Sequence, residues 1–208
     1  MNRSALYIAT AALTTLVVGL CGLAWAQSIR GDVGRYDMFA LLGLLAWSLM
    51  WLHYVSGSLK RYLGLAADTT VLKRYFEVTS YMVLVLILLH PGLFFLALYQ
   101  DGLGLPPASS FEVYTEPASR AALMLGSVSL TAFLLFELGR WFRGKKWWPL
   151  VEYASMAAMA LIFVHALLLG SAVLMGWFRV VWCILGVLLV GAFVYNHWFD
   201  THHKNKEA

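Results

Sequence analysis

Charged residues are scarce in this sequence. Asp, Glu, Lys and Arg make up 12% of its 208 residues, about half of the roughly 25% found in an average soluble globular domain. Hydrophobic residues account for 61% and aromatic residues for 15%. This composition excludes a soluble globular protein and indicates an integral membrane protein in contact with lipid.

Cysteine is scarcer still, with only Cys21 and Cys183. Two cysteines exclude a disulfide framework. Both lie in apolar runs, and the topology described below places both toward the outer leaflet, so a disulfide would form only if their helices touch. We favour two isolated buried thiols, with the disulfide as the alternative. No redox compartment follows from either interpretation.

A large excess of charge of one sign is also missing, since the formal net charge is +4. Most Lys and Arg lie between apolar runs, where they orient helices, so a nucleic-acid partner is excluded. No glycine-rich loop follows a strand pattern, and we therefore expect the chain to lack its own flavin or nicotinamide domain.

Six apolar runs are about as long as the ~20 residues that cross a bilayer. The first ends in Ala24-Trp25-Ala26, which resembles a signal-peptide cleavage site, but its length favours an uncleaved first helix. The predicted fold is all-α, a single transmembrane domain over residues 1–208. The six helices are predicted at about 5–26, 37–60, 75–99, 119–142, 148–175 and 178–199.

Lys and Arg are distributed unequally between the two sides of these helices. The richer side is cytoplasmic by the positive-inside rule, so both termini are predicted to be cytoplasmic. Eleven basic residues lie on that side (Arg3, Lys60, Arg61, Lys73, Arg74, Arg140, Arg143, Lys145, Lys146, Lys204 and Lys206) and four on the other (Arg30, Arg35, Arg120 and Arg179).

The third and fifth predicted helices carry one repeated pattern. Residues 77–90 (EVTSYMVLVLILLH) and 152–165 (EYASMAAMALIFVH) share Glu, Ser, Leu, Ile and His at the same offsets. An ionisable side chain in hydrocarbon is costly and indicates a functional site. The topology places His90 and His165 at similar heights toward the outer face, and the two glutamates near the inner face.

Two histidines on facing helices of a bundle can provide both axial ligands of a haem iron. His90 and His165 are therefore predicted to bind one haem. The alternative is that each is a neutral histidine bonded to a backbone carbonyl or to another helix.

The order of these features resembles the ferric reductase-like transmembrane domain, and most closely the haem-binding membrane subunits of bacterial periplasmic methionine sulfoxide reductase systems. That resemblance implies a six-helix haem protein of the bacterial inner membrane. It depends on Lys73-Arg74, Leu89-His90, the run from Gly144 through Lys145, Lys146 and Trp147 to Trp148, Glu152 and His165.

In that family, two histidines on the third helix and two on the fifth hold two stacked b-type haems. His90 and His165 match the outer pair. The inner position of the fifth helix is Glu152, and that of the third falls on Phe76, with Glu77 one residue later. The resemblance thus implies one outer-leaflet haem that passes electrons to an acceptor on the outer face. The donor would be a separate redox protein, a quinone or a flavin.

The inner level has its own candidate residues. Two imidazoles and two carboxylates there suit zinc or another transition metal, a proton-linked carboxylate pair or a quinone head group. Alternatively, the glutamates pair with interfacial lysine and arginine. Haem-free function at this level and a purely structural or assembly role are the alternatives to electron transfer. The four inner residues are His53, Glu77, Glu152 and His197.

Two residue classes are predicted to have structural roles. Small residues, among them Gly43 and Gly126, are expected to allow close helix packing. Most tryptophans, Trp47 and Trp51 included, are assigned to the aromatic belts at the membrane surfaces.

Overall fold

A computed structural model describes residues 3–62, 70–138 and 144–207. These residues form helices and short connections, and no strand occurs within the described ranges. The helices are α1 (Arg3–Ser28), α2 (Arg35–Tyr62), α3 (Thr70–Gln100), α4 (Ala108–Val113), α5 (Pro117–Leu138), α6 (Trp148–Leu169) and α7 (Gly176–Glu207).

Every helix except the short α4 is long and apolar enough to cross a membrane. Large apolar side chains cover their outward surfaces, with Ile8 69% and Val187 73% exposed. In water such a surface would be unfavourable, whereas in lipid it is the expected one. The predicted all-α fold with six spanning helices is confirmed.

The predicted helix ends differ from those observed in two places. The fifth spanning helix, α6, ends at Leu169 and not near residue 175, because Gly170 has an extended backbone (φ −74°, ψ 106°). A 3₁₀ turn at Ala172–Leu174 then leads to α7. That last helix continues to Glu207, beyond the predicted end at residue 199. The last residues of the predicted fourth helix, 139–142, lie outside the described residues. The basic residues Arg140 and Arg143 are therefore also outside them.

The closest backbone packing is within two helix pairs, α2 with α3 and α5 with α6, and α1 and α7 both pack against α2. Trp47, Trp51 and Trp182 form the centre of the core and are 0–1% exposed. The Trp51 Nε1–H donates to the carbonyl of Leu185 at 2.8 Å. Because buried indoles need such partners, these side chains are fixed in the core, and the prediction of interfacial positions for Trp47 and Trp51 is wrong.

The two cysteines do not form a disulfide. Cys21 is buried, with its Sγ 3.0 Å from the Ser48 Oγ, whereas Cys183 is exposed on α7. The disulfide alternative is therefore wrong. The prediction of isolated buried thiols is confirmed for Cys21 and corrected for Cys183, because the surface of α7 near that residue is open.

Candidate functional site

The two helix pairs bring two histidines together. His90 lies on α3 and His165 on α6, and their ring centres are 6.4 Å apart with the ring planes at 87°. The backbones of α3 and α6 are not closely packed against each other. The two imidazole rings therefore form a side-chain contact between α3 and α6.

Each histidine is anchored by one nitrogen to the partner helix of its own pair. His90 Nδ1 lies 2.6 Å from the carbonyl oxygen of Phe39 on α2, and His165 Nδ1 lies 2.8 Å from that of Ala122 on α5. Since a carbonyl only accepts, each Nδ1 carries the proton and donates it. Each Nε2 is then the nitrogen with the free lone pair, and neither makes a hydrogen bond to the described residues.

A glycine lies one helical turn after each of these carbonyls. Gly43 follows Phe39 by four residues, as Gly126 follows Ala122. A Cβ at Gly43 would lie 2.9 Å from two atoms of the His90 ring, and one at Gly126 would lie 2.9 Å from His165 Nδ1. Positions i and i+4 share a helix face. Both pairs therefore have the same arrangement of an acceptor carbonyl, an adjacent glycine and a histidine from the next helix.

This arrangement fits a metal held by both imidazoles. Metal-bound histidines usually donate their other ring N–H to a carbonyl or carboxylate. Two imidazoles bonded at about 2 Å to one metal have ring centres about 6 Å apart, close to the observed 6.4 Å. The carbonyl bonds alone also agree with the alternative of two neutral core histidines. That alternative gives no reason for the two rings to lie this close together.

The donor set favours haem over zinc. A protein zinc site needs three or four protein ligands. Within residues 3–62, 70–138 and 144–207, no group of three or more His, Cys, Asp or Glu side chains is arranged to hold a metal. Two imidazoles suffice for an iron that brings its own four equatorial nitrogens. The residues present therefore fit a haem.

The connection between α3 and α5 is linked to His90 by a series of aromatic contacts. The Phe39 ring lies 5.7 Å from the His90 ring and 5.2 Å from Phe94, and Phe94 lies 5.9 Å from Tyr114 of the connection. Partial burial raises the pKa of the Tyr114 hydroxyl above its ordinary value of 10.0. This phenol therefore stays neutral at physiological pH.

Arg120 holds the same connection to α5. Its Nε donates to the Tyr114 carbonyl at 2.9 Å and its Nη2 to the Phe111 carbonyl at 3.2 Å. It has no acidic partner in the part of the chain that the structure describes. On α4, the hydroxyls of Ser109 and Ser110 are buried with no hydrogen-bond partner among the described residues. An unpaired buried hydroxyl costs about 1–3 kcal/mol.

The inner candidates have separate surroundings. His53 Nε2 lies 2.6 Å from the Thr79 hydroxyl, and its ring packs edge-on against Phe76 at 5.2 Å. Glu152 accepts a hydrogen bond from Trp148 Nε1 at 2.6 Å on its own helix. The Thr79 and Trp148 contacts are those of ordinary polar side chains near a membrane surface.

The structure does not bring the four predicted inner residues into one metal site. Glu77 and His197 are both exposed, and the described residues contain no metal-binding group. We therefore do not propose a metal site at the inner level. The four residues concerned are His53, Glu77, Glu152 and His197.

The two histidines were predictable from the sequence, whereas the groups that support them were not. Gly43 and Gly126 were predicted only to allow helix packing, and their specific partners are the two rings. Every residue has a backbone carbonyl, so the identities of Phe39 and Ala122 do not show that their carbonyls bind the two histidines. Gly43 precedes His90 by 47 residues and Gly126 precedes His165 by 39. Because these spacings differ, the two glycine–histidine pairs do not appear as a repeat in the sequence.

Comparison of the chain with protein-family models, with curated proteins and with solved structures gave no match.

Proposed function

We propose that this chain is a transmembrane b-type cytochrome that binds one haem between His90 and His165 and passes electrons to an acceptor on the outer face. The observation that carries the proposal is the pair of imidazoles with ring centres 6.4 Å apart, each anchored through Nδ1 and with no hydrogen bond from Nε2 to the described residues. The resemblance to ferric reductase-like domains agrees with it.

The residues of the chain have distinct tasks in this proposal. The carbonyls of Phe39 and Ala122 hold each Nδ1–H, which fixes the tautomer and makes Nε2 a better donor to iron. Gly43 and Gly126 leave room for the rings in these orientations. A bound haem would supply the one-electron redox chemistry, and His90, His165 and their apolar surroundings would tune its reduction potential.

The side of the membrane assigned to the acceptor depends on the orientation predicted from the basic residues. With both termini in the cytoplasm of a bacterial cell and the helices in its inner membrane, the histidine pair lies toward the outer leaflet. A quinol, a reduced flavin or a separate redox protein supplies the electrons. Neither the haem-free alternative nor a purely structural role is favoured by a specific contact.

The proposal is tested by adding haem to the purified protein and recording the Soret band. We expect one haem per chain in the wild type, and loss of the band in His90→Ala and in His165→Ala. His53→Ala is the matched control, because it removes a membrane histidine outside the pair, and it is expected to keep the band. Absence of the band from the wild type, or its persistence in both variants of the pair, contradicts the proposal.

A further inference from the structure

Three polar groups near the outer face have no role in holding the histidines. Arg120 is exposed and lacks an acidic partner among the described residues. Ser109 and Ser110 are 0% and 2% exposed, and neither hydroxyl makes a hydrogen bond within the described part of the chain. A buried hydroxyl without a partner is rare in a native protein and requires an explanation.

These groups lie on α4, in the connection between α3 and α5, and in the first turn of α5. Arg120 precedes by two residues Ala122, whose carbonyl binds His165. Through its bonds to the connection it also lies beside Tyr114. Ring contacts continue from Tyr114 through Phe94 and Phe39 to His90. The segment that contains the serines and Arg120 therefore connects α3, which carries His90, to α5, whose Ala122 carbonyl binds His165.

We propose that Arg120, with Ser109 and Ser110, binds the carboxylates of the haem. This inference rests on the proposed function. Haem carries two carboxylates that are ionised at neutral pH, and an ionised carboxylate is costly to place in hydrocarbon. A guanidinium and hydroxyl donors on the outer side of the ligand pair neutralise and hydrogen-bond such groups. The same contacts fix which edge of the haem faces outward.

The proposal is tested with haem and haem dimethyl ester, which has the same iron and ring but no ionisable carboxylate. Each is titrated into apoprotein in a zwitterionic detergent, and affinity is read from the Soret band. We expect Arg120→Gln to weaken haem binding about tenfold or more, the usual effect of losing a charge-assisted hydrogen bond. Its affinity for the dimethyl ester is expected to equal that of the wild type.

Arg179→Gln is the matched control, because Arg179 is an exposed arginine at the same end of the bundle, on α7. It is expected to leave both affinities unchanged. Replacing Ser109 and Ser110 together by alanine is expected to weaken haem binding about threefold to tenfold, again without affecting the ester. The thermal stability of that apoprotein should stay the same or rise, because two unpaired hydroxyls are removed.

Other outcomes separate this inference from the proposed function. If Arg120→Gln weakens haem and ester equally, Arg120 only holds the connection in place and the inference is wrong. The inference is also wrong if the variant loses binding of anionic phospholipid in mixed micelles while haem affinity is unchanged, since the anion is then a lipid phosphate. If the wild type binds both ligands equally, only this inference fails, whereas binding of neither ligand overturns the proposed function as well.

Discussion

The two levels of this bundle, predicted to lie toward the outer and the inner face of the membrane, begin from the same sequence repeat and differ in structure. At the outer level, both histidines of the repeat meet at 6.4 Å between ring centres, each with a carbonyl and a glycine from its neighbouring helix. At the inner level, the glutamates of the repeat stay apart. Glu152 bonds to a tryptophan on its own helix and Glu77 is exposed.

The two levels differ because the neighbouring helices provide matching partners for the histidines and unlike surroundings for the glutamates. α2 and α5 provide equivalent supports opposite His90 and His165. Opposite the inner end of α3, α2 instead provides His53, which bonds to Thr79 and packs against Phe76. We therefore expect substitutions at the outer level to remove cofactor binding, and substitutions at the inner level to change only stability.

The largest difference in haem affinity is expected between variants of the two histidines and variants of the two glutamates of the repeat. His90→Ala or His165→Ala removes one of the two proposed haem ligands and is expected to reduce haem affinity by about 100-fold or more, since no other side chain is proposed to replace the lost imidazole. Glu77→Ala and Glu152→Ala are expected to bind haem like the wild type. Titration of each apoprotein with haem checks this, and an equal loss in the glutamate variants would contradict the distinction between levels.

A smaller effect is expected from the glycines beside the rings. Gly43→Ala or Gly126→Ala places a Cβ 2.9 Å from a histidine ring, and such overpacking costs about 1–3 kcal/mol. We expect haem affinity to fall about fivefold to 100-fold as the ring is displaced. Gly57→Ala is the control on α2, because a Cβ there has nothing within 4 Å. Equal affinities in all three variants would show that the rings tolerate displacement.

At the inner level, the Thr79 hydroxyl has a structural role in our account. Thr79→Val keeps the shape of the side chain and removes the hydrogen bond between Thr79 and His53 Nε2, which measures 2.6 Å. We expect the free energy of unfolding to fall by about 1–3 kcal/mol, with one haem per chain retained. Thermal denaturation in detergent, followed by circular dichroism, measures the first quantity, and the Soret absorbance measures the second. Loss of haem in this variant would connect the inner level to the cofactor.

The smallest effect is expected at Glu77, which is exposed at the inner end of α3. Glu77→Gln is expected to change stability by no more than about 0.5 kcal/mol, as surface substitutions usually do. Trp148→Phe, which removes the hydrogen bond to Glu152, serves as the comparison and is expected to cost about 0.5–1.5 kcal/mol. A reversal of this order in thermal denaturation would show that Glu77 has a partner in the membrane.

The spanning helices were predictable because their apolar runs have the length of a bilayer, and His90 and His165 because an ionisable residue in such a run is unusual. The end of α6 at Leu169 was not predictable, because apolar residues continue past Gly170 while its backbone turns away. The burial of Trp47 and Trp51 was also missed, since it depends on which helices surround α2. The carbonyls of Phe39 and Ala122 belong to the backbone and are invisible in any residue pattern.

The central claim is that the two facing imidazoles bind haem, and an absorbance spectrum of the purified wild-type protein tests it most directly. We predict a Soret band that shifts on reduction and corresponds to one haem per chain after addition of excess haem. A protein that is folded by circular dichroism and shows no Soret band under these conditions would contradict the claim.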